Sequence, residues 1–139
     1  MSSPKNDEVC FALSNKFIND ILDMCLFPIT DESVTAIRLL KLIVKCGYIN
    51  PSKCIPHSIA LLASNQKIIT HTAIGIVTEL LEQHETMVLN NISKGIVLAI
   101  DYSKTLFNGV YYRHNMFLNT LQNIFLVDKK GMNKFHKYL

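Results

Sequence analysis

Charge is scarce in this chain. Only 18% of its 139 residues are Asp, Glu, Lys or Arg, whereas 49% are hydrophobic. Small soluble helical domains ordinarily carry more charge. The imbalance implies apolar surface that a neighbour covers, as in a piece of a longer array or a domain that adheres to a partner. Cysteine pairs are also missing: Cys10, Cys25, Cys46 and Cys54 show no paired spacing, and the polar start Met1–Glu8 has no signal-peptide pattern. Free thiols in a reducing compartment, cytosol or nucleus, are the expectation. No apolar run is long enough to span a bilayer, because Lys, His or Glu interrupts each candidate. No membrane partner is therefore expected.

Glycine clusters are absent. Gly47, Gly75, Gly95, Gly109 and Gly131 are scattered, so no loop is built to cradle a phosphate. Neither an alternating strand pattern nor a Gly-rich hairpin turn occurs. What remains is helical, and the length suits one domain with a real core. The net charge of +3 permits an acidic partner without demanding one.

The organising stretch runs from Arg38 to Tyr102, with Gly47-Tyr48-Ile49-Asn50-Pro51 near its start. Gly47 ends a run rich in Leu, Ile, Val and Lys, where a left-handed residue can close a helix. Asn50 caps the next helix and Pro51 occupies its first turn, where a missing N–H costs nothing. That helix spans 51–63, hands over at Ser64-Asn65-Gln66, and a further helix spans 67–85. Pro56 predicts a kink or an irregular start.

On the N-terminal side, residues 1–6 are read as disordered and a helix as spanning 7–26. Its apolar positions Cys10, Leu13, Phe17, Ile21 and Met24 fall at spacings of three and four. Phe27-Pro28-Ile29 breaks it, and Thr30 or Asp31 caps the next helix. There Val34, Ile37, Leu40 and Val44 mark the buried face, widened by Leu39, Leu42 and Ile43. A helix apolar over most of its girth is packed on two sides.

In the helix from Lys67, Ile69, Ala73, Ile76 and Leu80 face inward, and Gly75 predicts close approach of another backbone. A helix from Asn90 or Asn91 to Phe107 buries Ile92, Ile96, Ala99, Ser103 and Leu106, and stops at Asn108-Gly109. A last helix over 113–128 buries Phe117, Leu121, Ile124 and Phe125. Residues 129–139 form a basic tail. The expected fold is all-α: a HEAT-like α-solenoid segment of about three antiparallel hairpins, starting near Asp7, Pro51 and Asn90, roughly 40 residues apart. The helical domain is assigned to residues 7–128.

Reactive constellations are weak. Cys54 and His57 lie three apart, with Cys46 eight residues earlier, but a zinc site needs a fourth ligand and a flexible knuckle. A buried thiol beside a surface His is the plainer reading. His71 and His84, thirteen apart on one helix, are too distant to share a site. No nucleophile-elbow context is present. The expectation is no catalytic residue, no cofactor and no metal. Glu79, Glu82 and Glu85 form an acidic stripe that reads as a solvated face. Arg38, Lys41 and Lys45 form a basic stripe, with Lys53 and Lys67 across the corners. Such a row can follow a phosphate backbone without reading bases, and it can equally serve to keep a helix face soluble. These five residues are the candidate contacts to a nucleic acid or protein partner.

Several short motifs, in order, resemble the C-terminal region of the Nipped-B family, the large subunit of the cohesin loader. They are Ile37-Arg38-Leu39-Leu40-Lys41-Leu42-Ile43, Gly47-Tyr48-Ile49-Asn50-Pro51, Cys54-Ile55-Pro56 and Ile59-Ala60-Leu61, then Ala73, Gln83-His84-Glu85, Gly95 and Ala99-Ile100-Asp101-Tyr102. The resemblance covers about residues 34–107. Two departures fall on the surface: the family's Thr-Asp-Pro turn is Ser64-Asn65-Gln66 here, and an expected Arg is Thr70. Loader subunits are also far longer than this chain.

The resemblance implies a hook-shaped HEAT-repeat protein of the nucleus with no catalytic residues of its own. Such loaders bind cohesin and DNA, stimulate the ATPase of the structural-maintenance-of-chromosomes subunits, and load the ring onto chromatin. Their small partner subunit binds a far N-terminal region with no counterpart here. Implied partners are cohesin subunits, with double-stranded DNA as a second candidate and neighbouring HEAT repeats if the chain is a fragment. The alternatives are a DNA-binding helical-repeat module acting through the basic stripe, and a generic protein-interaction solenoid.

Overall fold

The computed structural model describes residues 4–26, 30–106 and 114–126. Among them are seven helices and no strand: α1 (Pro4–Cys25), α2 (Asp31–Cys46), α3 (Pro51–Leu61), α4 (Lys67–Gln83), α5 (Glu85–Asn90), α6 (Ile92–Leu106) and α7 (His114–Leu126). The expected all-α repeat segment is what forms. Helix α1 begins earlier than expected, so residues 4–6 are its first turn, with Pro4 where a missing N–H is harmless. The break at Phe27-Pro28-Ile29, the stop at Asn108-Gly109 and the tail 129–139 lie outside the described residues.

Local chemistry sets the helix ends. The Thr30 hydroxyl accepts from the Ser33 N–H at 3.2 Å, while the Thr30 N–H donates to Ser33 Oγ at 3.0 Å. Two otherwise orphaned donors are thereby satisfied. Gly47 closes α2 at φ +74°, and the Tyr48 N–H reaches back to the Ile43 carbonyl at 3.2 Å. This is the six-to-one bond of a left-handed cap. The Asn50 side chain then accepts from the Ser52 N–H at 3.1 Å. Asn15 of α1 donates to the Tyr48 carbonyl at 3.3 Å and so ties the corner to the preceding hairpin.

Pro56 does not interrupt the helical run of α3. The irregularity falls in the first turn, where the Lys53 N–H bonds to the Asn50 carbonyl three residues back. At its other end α3 tightens into three successive turns of the same kind, from Leu62 to Ser64. His84, at φ −141° and ψ 51°, ends α4, and α5 starts at once.

The hairpins stack in two layers. Helices α1, α3 and α6 form one, and α2, α4 and α7 the other, with the α3–α6 contact the most extensive. Ile37, Leu40, Ile55, Ile59, Ile69 and Ile76 are fully buried between them. The inward faces expected for α4 (Ile69, Ala73, Ile76, Leu80) and α7 (Phe117, Leu121, Ile124, Phe125) are buried throughout. In α6, Ile92, Ala99 and Ser103 are buried and Ile96 is half-buried; the Leu106 side chain lies outside the described residues.

Helix α1 differs from expectation. It buries Ile18, Leu22 and Cys25, and leaves Leu13, Phe17 and Met24 exposed. Both stripes have helical spacing, and contact with α2 and α3 selects the first. Gly75 also differs: a Cβ there would meet the end of the Lys41 side chain, Nζ at 3.2 Å, and no backbone. The close approach occurs at Gly95, where a Cβ would lie 2.7 Å from Ile59 Cβ and Cγ2.

Candidate partner-binding surface

Two surfaces flank α2. The first is the basic stripe. Arg38, Lys41 and Lys45 are all exposed, and their spacing of three and four puts them on one helix face. Among the described residues none of the three forms an ion pair. Lys41 reaches across to α4 and lies over Gly75, so the stripe spans two hairpins. Lys45 sits in the last turn of α2, where a cation suits the helix dipole, so it has a structural role as well. Arg38 and Lys41 have no such role.

Lys53 and Lys67 are exposed too. Lys53, however, sits in the first turn of α3, in the opposite layer, and Lys67 is the first residue of α4. Only the three α2 cations share one face. A cation near a helix N-terminus gains nothing from the dipole there.

The second surface was not legible as such in the sequence. Leu13, Phe17 and Ile21 of α1 meet Leu39, Leu42 and Cys46 of α2 along an open groove of about 540 Å³. Leu13 and Leu42 are more than half exposed, at 52% and 57%. This groove is the apolar excess that the low charge content signalled. The available hint was that both helices carry more apolar positions than one buried face needs.

The buried thiols Cys25 and Cys54 have the opposite of activating environments. Cys54 is buried and donates to the Pro51 carbonyl at 3.3 Å. Burial pushes its thiol up to about 12, and Cys25 likewise to about 12. A nucleophilic cysteine needs a lowered value. His57, expected at the surface, is instead part-buried, and its Nδ1 has no partner. Burial depresses its pKa, opposed by the Asp23 carboxylate. The Tyr102 hydroxyl is buried with no partner in hydrogen-bond geometry. Burial raises its pKa, Ser64 pulls it down, and Cys25 adds to the rise. Among the described residues no three of His, Cys, Asp and Glu gather as metal ligands, and no helix is long and apolar enough to cross a membrane.

The family model described as "Sister chromatid cohesion C-terminus" matches residues 10–139. Sister chromatid cohesion protein 2 of Saccharomyces cerevisiae is 44% identical over 134 residues. That alignment takes in 96% of this chain and 9% of the yeast protein.

Proposed function

Because this chain belongs to the Nipped-B family, matching its C-terminal region along nearly its whole length, we propose that it is a non-catalytic helical-repeat scaffold in cohesin loading. In this reading it works in the nucleus, docks cohesin subunits and helps place the ring on chromatin. The carrying observation is the 44% identity to a sister chromatid cohesion protein, spread over stacked hairpins rather than confined to one motif. Buried, deactivated Cys25 and Cys54 support the non-catalytic part. The chain spans only 9% of the yeast relative, so the activity of a whole loader is not carried over with the family.

The test is capture of recombinant cohesin subunits by the purified chain, against an unrelated helical-repeat protein of similar charge. Enrichment of a cohesin subunit is expected. Equal recovery on both baits counts against the scaffold reading.

A second reading is favoured by one observation: Arg38, Lys41 and Lys45 lie in a row, exposed and unpaired among the described residues. Such a row suits duplex DNA, with a salt slope of about 0.9 per phosphate contacted. Replacing all three by Glu should abolish most of the salt dependence of duplex binding. An unchanged slope removes the stripe as the contact.

A further inference from the structure

The groove between α1 and α2 runs alongside the basic stripe, with Leu39, Leu42 and Cys46 on its α2 wall. Its α1 wall runs from Cys10 to Ile21, which at 1.5 Å per residue is about 17 Å, or three helical turns. Its walls are aliphatic and aromatic, and Leu13, Phe17, Leu39 and Leu42 are 52%, 46%, 43% and 57% exposed. Where a stack of hairpins ends in water, its outer face is polar; this face is not.

Its two flanks differ in charge. On α2, Arg38 and Lys45 each precede a groove residue, Leu39 and Cys46, and so stand about 100° round the helix from it. On α1, Lys16 lies 5.5 Å over the Phe17 ring, and Asp20 offsets it on the same side of the sequence pattern. Between Leu39 and Cys46 the α2 flank is therefore cationic; the acidic side chains stand at the groove's two ends, Asp31 and Glu32 beside Ile21 and Leu39, and Asp7 beside Cys46 and Tyr48.

We propose that this groove docks an amphipathic α-helix of about three turns from a partner polypeptide, apolar along one stripe and acidic along the flank that meets α2. The length matches the wall, the apolar stripe matches the lining, and the acidic flank answers Arg38 and Lys45. The groove also holds its own reporter. Cys46 and Cys10 both line it, Cys46 exposed and Cys10 half-buried, whereas Cys25 and Cys54 are buried.

The experiment uses the full chain and two synthetic fourteen-residue helices with one leucine stripe. One has glutamates along a single flank, and the other has lysines there. Fluorescence anisotropy gives affinity, and maleimide labelling of Cys46 reports occupancy of the groove. The Glu-flanked helix should bind about tenfold more tightly and slow the labelling. Leu42→Lys should abolish both effects with the helical circular dichroism unchanged, since that side chain is exposed. Equal affinity for the two peptides would overturn the proposal, as would binding undisturbed by Leu42→Lys. A dimer in ultracentrifugation that Leu42→Lys dissolves would also overturn it, because a second copy would then cover the groove.

Discussion

Replacing Gly95 by Ala should destabilise the protein even though it improves helix propensity. A Cβ at this position would sit 2.7 Å from both Ile59 Cβ and Cγ2 and 2.9 Å from Cδ1. Carbon atoms pack comfortably at about 3.5–4.0 Å, so α6 must retreat from α3 by about 1 Å. No rotamer of Ile59 relieves the clash, because its Cβ is fixed to the backbone and the residue is fully buried. Overpacking of this kind costs about 1–3 kcal/mol, and the gain of Ala over Gly in a helix returns about 1 kcal/mol. The collision falls on the most extensive helix pair, which favours the upper end of that range and a net loss of about 1–2 kcal/mol.

Gly75→Ala is the matched control. Its Cβ meets only Lys41 Nζ at 3.2 Å and Cε at 3.3 Å, and the exposed end of a lysine can swing aside. That variant should be neutral or up to about 1 kcal/mol more stable. Urea unfolding followed at 222 nm gives both values from one assay. If the two variants shift the midpoint equally, or Gly95→Ala unfolds later than the parent, the close-approach reasoning fails.

Three further outcomes follow from buried side chains. Burial holds the His57 pKa below its ordinary 6.5, so below that pH the unfolded chain takes a proton the folded chain refuses. Stability should fall as pH drops below about 6.5 and level off once the folded imidazole also protonates; parallel pH profiles for the parent and His57→Gln would refute this. Tyr102→Phe removes a buried hydroxyl that lies near Ser64 without reaching hydrogen-bond geometry and should leave stability unchanged or raise it by up to about 1 kcal/mol. A loss larger than that in the same urea assay would reveal a hydrogen bond. Among the four thiols, exposed Cys46 should react first with a disulfide reagent, half-buried Cys10 more slowly, and Cys25 and Cys54 only on unfolding. Stopped-flow thiol counting checks the order, and rapid release from Cys54 in the folded state would contradict it.

The sequence by itself determined both ends of α2 and the start of α3, but not the first turn of α1 or the short α5. Thr30, Gly47, Asn50 and Pro51 act through bonds to residues two to five positions away, so no distant contact is needed to read them. It also determined the inner faces of α4 and α7, each of which has one coherent apolar stripe. The basic stripe was legible for the same reason, because three cations at spacings of three and four on one helix share a face wherever that helix packs.

Only the tertiary structure decided the rest. Periodicity finds faces but does not assign neighbours, so it could not choose between the Ile18-Leu22-Cys25 and Leu13-Phe17-Met24 sides of α1. Nor could it say that Gly95, rather than Gly75, lies against a packed side chain. Which stripe is buried depends on what α2 and α3 present to it. What is left over, Leu13, Phe17, Leu39 and Leu42 facing outward, becomes a groove only once side chains 22 to 29 positions apart in sequence are laid side by side.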